Sequence, residues 1–247
     1  MDFIRITKEN LEKEHICCAI SNNKDIQVAS KKSWLAARLE EGLCFIKSAE
    51  RGKCFIEYIP AQNAWIPIEA NDYMYIDCFW ISGSLKGHGY SNDLLKMCIE
   101  DTKAKGFKGL CILSSDKKRA FLSDPNYLAY KGFKVADKSD VGINLLYFPF
   151  DSKVNVPKFK ECAKHPRVDR QGYILYYTNQ CPFTAKYVPL TENIAKEKGI
   201  PFKAIHIKDR DTAQNIPSPV TTYALFYNGK FVTNEILTVK KFLKMIC

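Results

Sequence analysis

The run "GSLKGHGYS" at residues 83–91 sets Gly87 and Gly89 between an apolar stretch and the start of a helical pattern. Strand, glycine loop and helix in that order can hold an anion. N–H groups at a helix N-terminus point outward, and residues without a Cβ let phosphate oxygens reach the backbone. The loop residues are Lys86, Gly87, His88, Gly89 and Tyr90, with Ser91 opening the helix. A P-loop would need Lys-Ser or Lys-Thr after its last glycine, and a dinucleotide fingerprint would need a third glycine; neither is present. On these residues alone, an ordinary tight strand-to-helix turn stays open. His88 reads as an exposed loop residue beside the anion.

A second candidate is Cys181 in "YYTNQCPFT", after a strand pattern and at the start of a helical one. The positive end of a helix dipole there is expected to lower the thiol pKa. The other nine cysteines, at 17, 18, 44, 54, 78, 98, 111, 162 and 247, form no Cys-x-x-Cys framework and read as reduced apolar filler in a cytoplasmic protein. Cys162-Ala-Lys-His165 and His15-Ile-Cys17-Cys18 could each offer metal ligands, but no second pair at zinc spacing follows either, so no metal is expected. The basic clusters "KKSWLAAR" and "DKKR" lack interleaved aromatics and read as solvated faces, so nucleic acid is not an expected partner.

The elements that must position these groups follow from pattern. The chain has 247 residues, 46% hydrophobic and 26% charged, enough for one large or two modest domains at about 100–200 residues each. Global disorder, collagen and coiled coil are excluded. The first twenty residues lack a basic stretch followed by an apolar one, and no apolar run reaches the ~18 residues of a membrane span, so neither export nor embedding is expected. Residues 24–43 carry Trp34, Leu35, Leu39 and Leu43 on one helical face. A hairpin "LCFIKSA" and "KCFIEYIP" turns near Gly52, and "YMYIDCFWIS" reads as a central strand because both of its faces are apolar. The helix "SNDLLKMCIEDTKAKG", the strand "LCILSS", the short helix "PNYLAYKGF" and the strand "INLLYFPF" complete residues 1–150. A polar stretch with Pro157 and Pro166 makes 151–170 a linker, and 171–247 reads as β-α-β-(α)-β-β-α with Asn228-Gly229 as a hairpin turn. Residues 1–150 hold 21 basic and 19 acidic side chains and 151–247 hold 16 and 8, so the net +10 divides into +2 and +8.

Taken together, "SLKGHG" at 84–89, the order of surrounding elements and "YKGF" at 130–133 resemble motifs A and B of the GNAT N-acetyltransferases. Motif A reads Arg/Gln-x-x-Gly-x-Gly/Ala, and here Ser84 replaces the Arg or Gln. The segments "GKCFIEYIPAQNAWIPI" and "NGKFV" further resemble YoaP-type members, in which a GNAT domain is fused to a small C-terminal domain. The resemblance implies an α/β GNAT fold over 1–150 and direct transfer of an acetyl group from acetyl-CoA to a small-molecule or peptide amine. It implies pyrophosphate binding by N–H groups from Lys86 to Ser91 and carbonyl polarisation at the strand end Phe79, Trp80 and Ile81. The motif B tyrosine position holds Leu128, flanked by Tyr127 and Tyr130, so either tyrosine could protonate the leaving thiolate. Asp77, or Glu69 ahead of it, would be the base, since a carboxylate within an apolar strand is costly unless paired or used. Residues 171–247 resemble a thioredoxin-like domain with Cys181 as its thiol, Thr184 in place of a second cysteine and Pro219 in the cis-proline position. The alternative is a monothiol binding or redox-sensor protein centred on Cys181, its GNAT half binding ligand only.

Overall fold

A computed structural model describes the whole chain except residues 17, 19–21, 23, 152 and 247. The strands are β1 (Phe3–Arg5), β2 (Cys44–Ser48), β3 (Lys53–Pro60), β4 (Ile68–Glu69), β5 (Tyr73–Ser82), β6 (Gly109–Ser115), β7 (Lys134–Lys138), β8 (Ile143–Pro149), β9 (Lys158–Phe159), β10 (Tyr173–Tyr177), β11 (Phe202–His206), β12 (Tyr223–Tyr227) and β13 (Lys230–Thr233). The helices are α1 (Ile26–Leu39), α2 (Tyr90–Ala104), α3 (Pro125–Tyr130), α4 (Glu161–Lys164), α5 (Pro182–Glu197), α6 (Arg210–Ala213) and α7 (Val239–Ile246). None of the described helices is long and apolar enough to cross a membrane.

Seven strands form one sheet in the order β1-β2-β3-β5-β6-β8-β7. Alternation along β3 and β5 sends Phe55, Ile59, Tyr73 and Tyr75 to the α1 face and Ile56, Tyr58, Met74 and Ile76 to the face that packs α2 and α3. Helix α1 starts where the Asp25 side chain accepts from the Gln27 N–H at 2.8 Å. It buries Val28 and Leu35, each worth about 1.5–3 kcal/mol. The basic cluster expected to be solvated is corrected here: Lys31 and Lys32 lie on the buried face of α1. Strands β1 and β7 are the two edges of the sheet and have no counterpart in the pattern reading.

Strand β5 is interrupted twice. It pairs in parallel with β6 only from Tyr73 to Ile76, after which the two strands part. On its other side the register with β3 shifts, with Glu57 opposite Cys78 and Tyr58 opposite Ile76, so Asp77 is an extra, bulged residue. The bulge inverts the alternation beyond it. Cys78 packs with the α1 face, whereas Phe79 and Ile81 pack with the α2 face.

A second sheet has the order β11-β10-β12-β13, with β10 and β11 parallel and β12 and β13 antiparallel to their neighbours. The expected turn forms at Asn228 and Gly229, both at positive φ. The stretch 151–170, expected as a linker, is anchored: β9 pairs with β4 and buries Phe159, and α4 buries Ala163. The C-terminal sheet's connections also enter the first unit's core, where Ile207, Ala213, Ile216 and Val220 pack in one cluster with Trp34, Trp65 and Tyr75.

Candidate active site

The glycine loop lies where strand β5 hands over to α2. A short 3-10 turn over Gly83–Leu85 buries Leu85, and the chain then passes through Gly87 and Gly89 at φ +84° and +80°. A Cβ at either glycine would meet nothing within 4 Å, so the approach to the backbone is open. Gly89 caps α2 without a side chain of its own. The Lys86 N–H donates to the Gly83 carbonyl at 3.2 Å, which corrects its expected place among the phosphate donors. Among the described residues the N–H groups of Gly87, His88, Gly89, Tyr90 and Ser91 have no such acceptor, so five consecutive donors face outward at a helix N-terminus. His88 is exposed and stacks on Tyr90 with ring centroids 5.5 Å apart.

Behind the loop, on the α1 face, a cavity of about 400 Å³ opens between the two units. Its floor is the parted end of β5 and β6, with Ile76 to Trp80 on one side and Ile112 and Leu113 on the other. Lys31 of α1 and Glu57 of β3 meet at its wall, Nζ to Oε2 at 2.6 Å, with exposures of 1% and 0%. An isolated ammonium there would cost several kcal/mol, and the carboxylate offsets it. Burial alone would lower the Lys31 pKa; Glu57 reverses this and leaves it raised. Glu57 Oε1 is buried with no hydrogen-bond partner.

Asp77 lines the same cavity from the bulge. Burial, reinforced by the Glu57 charge, pushes its carboxyl well above the ordinary carboxylate range, with Lys31 and Arg38 opposing. Its backbone carbonyl accepts from Gln180 Nε2 at 3.2 Å, and Gln180 Oε1 in turn accepts from the Thr222 hydroxyl at 2.8 Å. Glu69 is not part of the site: it is exposed on β4 and pairs with Lys158 at 3.0 Å.

Tyr127 and Tyr130 separate. Tyr130 is 81% exposed at the end of α3 and does not pack in the core. Tyr127 is half-buried beside Phe79, with ring centroids 5.8 Å apart, and its hydroxyl has no partner in hydrogen-bond geometry. Burial raises its pKa and the nearby Ser91 hydroxyl opposes this. Leu128 is fully buried, as its position between them requires. Of the three strand-end residues, Phe79 and Ile81 pack on the α2 face, and Trp80 lines the cavity on the α1 side.

Cys181 is at the N-cap of α5, as the pattern places it, and its thiol opens into the cavity. The expected low pKa is corrected: burial pushes the thiol up to about 11, more than the Phe183 backbone N–H and Lys31 can offset. Thr184, fully buried, donates its hydroxyl to the carbonyls of Thr178 and Cys181 at 2.8 and 2.7 Å and braces the turn. Pro219 is not a cis-proline; the described chain has no cis peptide bond. The eight described cysteines are free thiols. Among the described residues no three His, Cys, Asp or Glu side chains converge as a metal site; His165 Nδ1 instead lies 2.6 Å from Asp140 in solvent, and Cys17 of the other candidate set lies outside the described residues.

Pattern reading missed Lys31, Glu57 and Gln180. Glu57 left a signal, a carboxylate midway along the apolar run "KCFIEYIP", of the kind that drew attention to Asp77.

Comparison with known proteins gives the family of the chain. A family model described as YoaP-like matches residues 201–244. Over all 247 residues the chain is 39% identical to the uncharacterized N-acetyltransferase YoaP of Bacillus subtilis (strain 168), covering 100% of this chain and 98% of that protein. The chain is therefore an acyltransferase, and it belongs to the YoaP N-acetyltransferases. Similar solved structures include the PaiA N-acetyltransferase of Thermoplasma acidophilum in complex with coenzyme A, at 14% identity and TM-score 0.40, covering 60% of this chain and 99% of that one. Another is a GNAT family acetyltransferase of Brucella melitensis in complex with acetyl-CoA, at 12% identity and TM-score 0.39, covering 64% and 92%.

Proposed function

We propose that the protein transfers an acetyl group from acetyl-CoA directly to a primary amine. The observation that carries this reading is the parting of β5 from β6 beyond Ile76 and Ile112, which leaves a gap between the five free N–H groups and the carboxylate-lined cavity. The open approach to Gly87 and Gly89 fits a pyrophosphate on those N–H groups, with the field of α2 favouring the anion. Acetyl-CoA supplies the acyl group as an activated thioester.

Beyond the bulge, alternate residues of β5 turn their backbone groups away from β3 toward the gap, where an N–H can polarise the thioester carbonyl. Asp77 in its ionised form takes the proton of the incoming ammonium, and its raised pKa makes that carboxylate a stronger base than an ordinary one. As the new C–N bond forms and the C–S bond breaks, the nitrogen releases its second proton to solvent, and the Tyr127 hydroxyl gives its proton to the sulfur and recovers one from solvent. Its contact with Phe79 and its place beside the Ser91 hydroxyl at the start of α2 support that role.

The C-terminal unit reads as thioredoxin-like, supported by the sequence β10-α5-β11-α6-β12-β13-α7 and by a cysteine at the first strand-to-helix junction. On this reading the GNAT domain spans 1–150, the connecting segment 151–170 and the second domain 171–247, and the free cysteines suit a reducing cytoplasm. Titration of the protein with acetyl-CoA by calorimetry is expected to give saturable binding at one site per chain; its absence overturns the acetyltransferase reading.

A further inference from the structure

The acceptor cavity is closed by residues from the far end of the chain. Gln180 holds the Asp77 carbonyl at 3.2 Å, Thr221 Oγ1 donates to the Trp65 carbonyl at 2.6 Å, and Gln214 Nε2 donates to the Ala64 carbonyl at 2.9 Å. Asn234 Nδ2 donates to the Ala120 carbonyl at 2.9 Å. These four bonds tie the C-terminal unit to the β5 bulge, to the segment before β4 and to the loop after β6, three sides of one cavity. The face of the sheet on which an extended acceptor would lie is thereby roofed.

Inside, the walls are aromatic, with Phe55, Trp65, Tyr75, Trp80 and Phe183 among them. Of the cations at the cavity, Lys31 is paired with Glu57 and Lys118 with Asp124 at 3.4 Å, and Arg119 donates to the Val141 carbonyl at 3.0 Å. What lacks a partner is mostly acceptor. Glu57 Oε1 and Asn234 Oδ1 are buried and unpaired, against one such donor, Trp65 Nε1, and the Asp77 carboxyl opens on the same space. A buried carboxylate oxygen without a donor is unfavourable, and a ligand N–H would satisfy it.

We propose that the acceptor is a small primary amine with an apolar or aromatic body, taken whole into this cavity, its ammonium held between Glu57 Oε1 and Asp77, and that the C-terminal unit excludes peptide and protein amines. The inference rests on the acetyltransferase reading for the direction of the chemistry, but the amine site itself does not depend on it. Glu57 binds and orients the nitrogen, Lys31 holds Glu57 in place through its ion pair, and Asp77 receives the proton. The C-terminal unit thus acts as the specificity wall of the site.

Binding of phenethylamine and of 2-phenylethanol to the full-length protein by calorimetry separates charge recognition from apolar contact. The amine is expected to bind about tenfold or more tightly than the alcohol. In an assay of thiol release from acetyl-CoA, phenethylamine is expected to exceed a tetrapeptide with a free N-terminus in kcat/KM by at least about tenfold. Equal binding of amine and alcohol, or comparable turnover of the tetrapeptide, overturns the proposal. Failure of acetyl-CoA to bind would overturn the acetyltransferase reading alone, because the amine-against-alcohol comparison needs no acetyl-CoA. Glu57→Gln is expected to weaken phenethylamine binding about tenfold with acetyl-CoA binding retained. Because it strands the Lys31 charge and could unfold the chain, Glu57→Gln paired with Lys31→Met serves as the second variant, with the same expected loss; retention of wild-type affinity by a folded variant counts against the proposal.

Discussion

On one face of the seven-stranded sheet the proposed anion cradle is backbone from five consecutive residues, 87–91. On the other, the proposed acceptor cavity is made of side chains from positions as far apart as Lys31 and Ile236. Both abut the same parted strands, yet they recognise by different means. The cradle needs glycines and a helix N-terminus, and most side chains near it are incidental. The cavity needs particular carboxylates in a fixed relation, held by a bulge and by a second unit of the fold. A backbone site can keep one cofactor while the opposite face is rebuilt for another acceptor, because the two share only the gap between β5 and β6.

The sharpest way to break this division is Gly89→Trp. The substituted Cβ meets no atom, so the fold bears only the cost of a left-handed residue, about 1–2 kcal/mol, while the indole blocks the donors. Acetyl transfer is expected to fall at least about a thousandfold with acetyl-CoA binding lost, and phenethylamine binding by calorimetry is expected to be unchanged. Loss of both would mean that the two faces are not separable.

Asp77→Asn acts on the opposite face. The variant is expected to lower kcat by about 10²–10⁴ with acetyl-CoA affinity retained. It also has a stability signature. The native pKa of Asp77 lies above its unfolded value, so its contribution to stability is present below the ordinary carboxylate range and is lost as pH rises through the native pKa. Asparagine does not titrate, so the Tm of the variant minus that of the wild type is expected to grow as pH rises from the ordinary carboxylate range through the native pKa of Asp77. A difference independent of pH would show that Asp77 is not the strained, uncharged-favouring group described here.

The contrast between the faces also explains what was legible in the sequence. "GSLKGHGYS" carries its meaning locally: the glycines supply positive φ and the following helix supplies the N–H groups, so the loop and its free donors could be read from the sequence. The central strand, α1, α2, α3 and the order of elements after residue 171 were likewise readable from period and turn chemistry. The edge strands β1 and β7 were not, because each is short and half-solvated and owes its pairing to the neighbouring strand. Lys31 was hidden for the opposite reason: helical spacing marks a face but cannot say that a lysine on it will meet Glu57 across 26 positions. Cys181 was placed correctly and its chemistry misread, since the helix end was visible and the burial by a distant sheet was not.

Gln180→Leu sharpens the comparison with a smaller effect. The side chain links the bulge carbonyl of Asp77 to Thr222, so it positions the proposed base and does not touch the proposed cradle. Loss of one such bond at a half-buried site is expected to reduce kcat/KM for the amine about three- to tenfold, through kcat, with the acetyl-CoA dissociation constant unchanged. A merely structural role would lower Tm and leave the kcat pH profile in place, whereas a positioning role shifts the acidic limb that Asp77 sets. Rescue of that limb by Gln180→Asn would further support the hydrogen bond over bulk.

Cys181→Ser is expected to do least, and that small effect discriminates. A thiol with its pKa pushed up to about 11 is almost wholly protonated at neutral pH, and alkylation by iodoacetamide should run about a hundredfold slower than for an exposed cysteine. The side chain is one patch of cavity wall, and serine keeps most of its volume while adding a stronger hydrogen-bond donor to an apolar surface. Acetyl transfer is therefore expected to stay within about threefold of wild type, with any change in the KM of the amine and none in acetyl-CoA affinity. Loss of kcat instead would return the thiol to the chemistry. It would mean that the far wall of the cavity reacts as well as selects, and that the division between a generic cofactor face and a specific acceptor face places one reactive group on the wrong side.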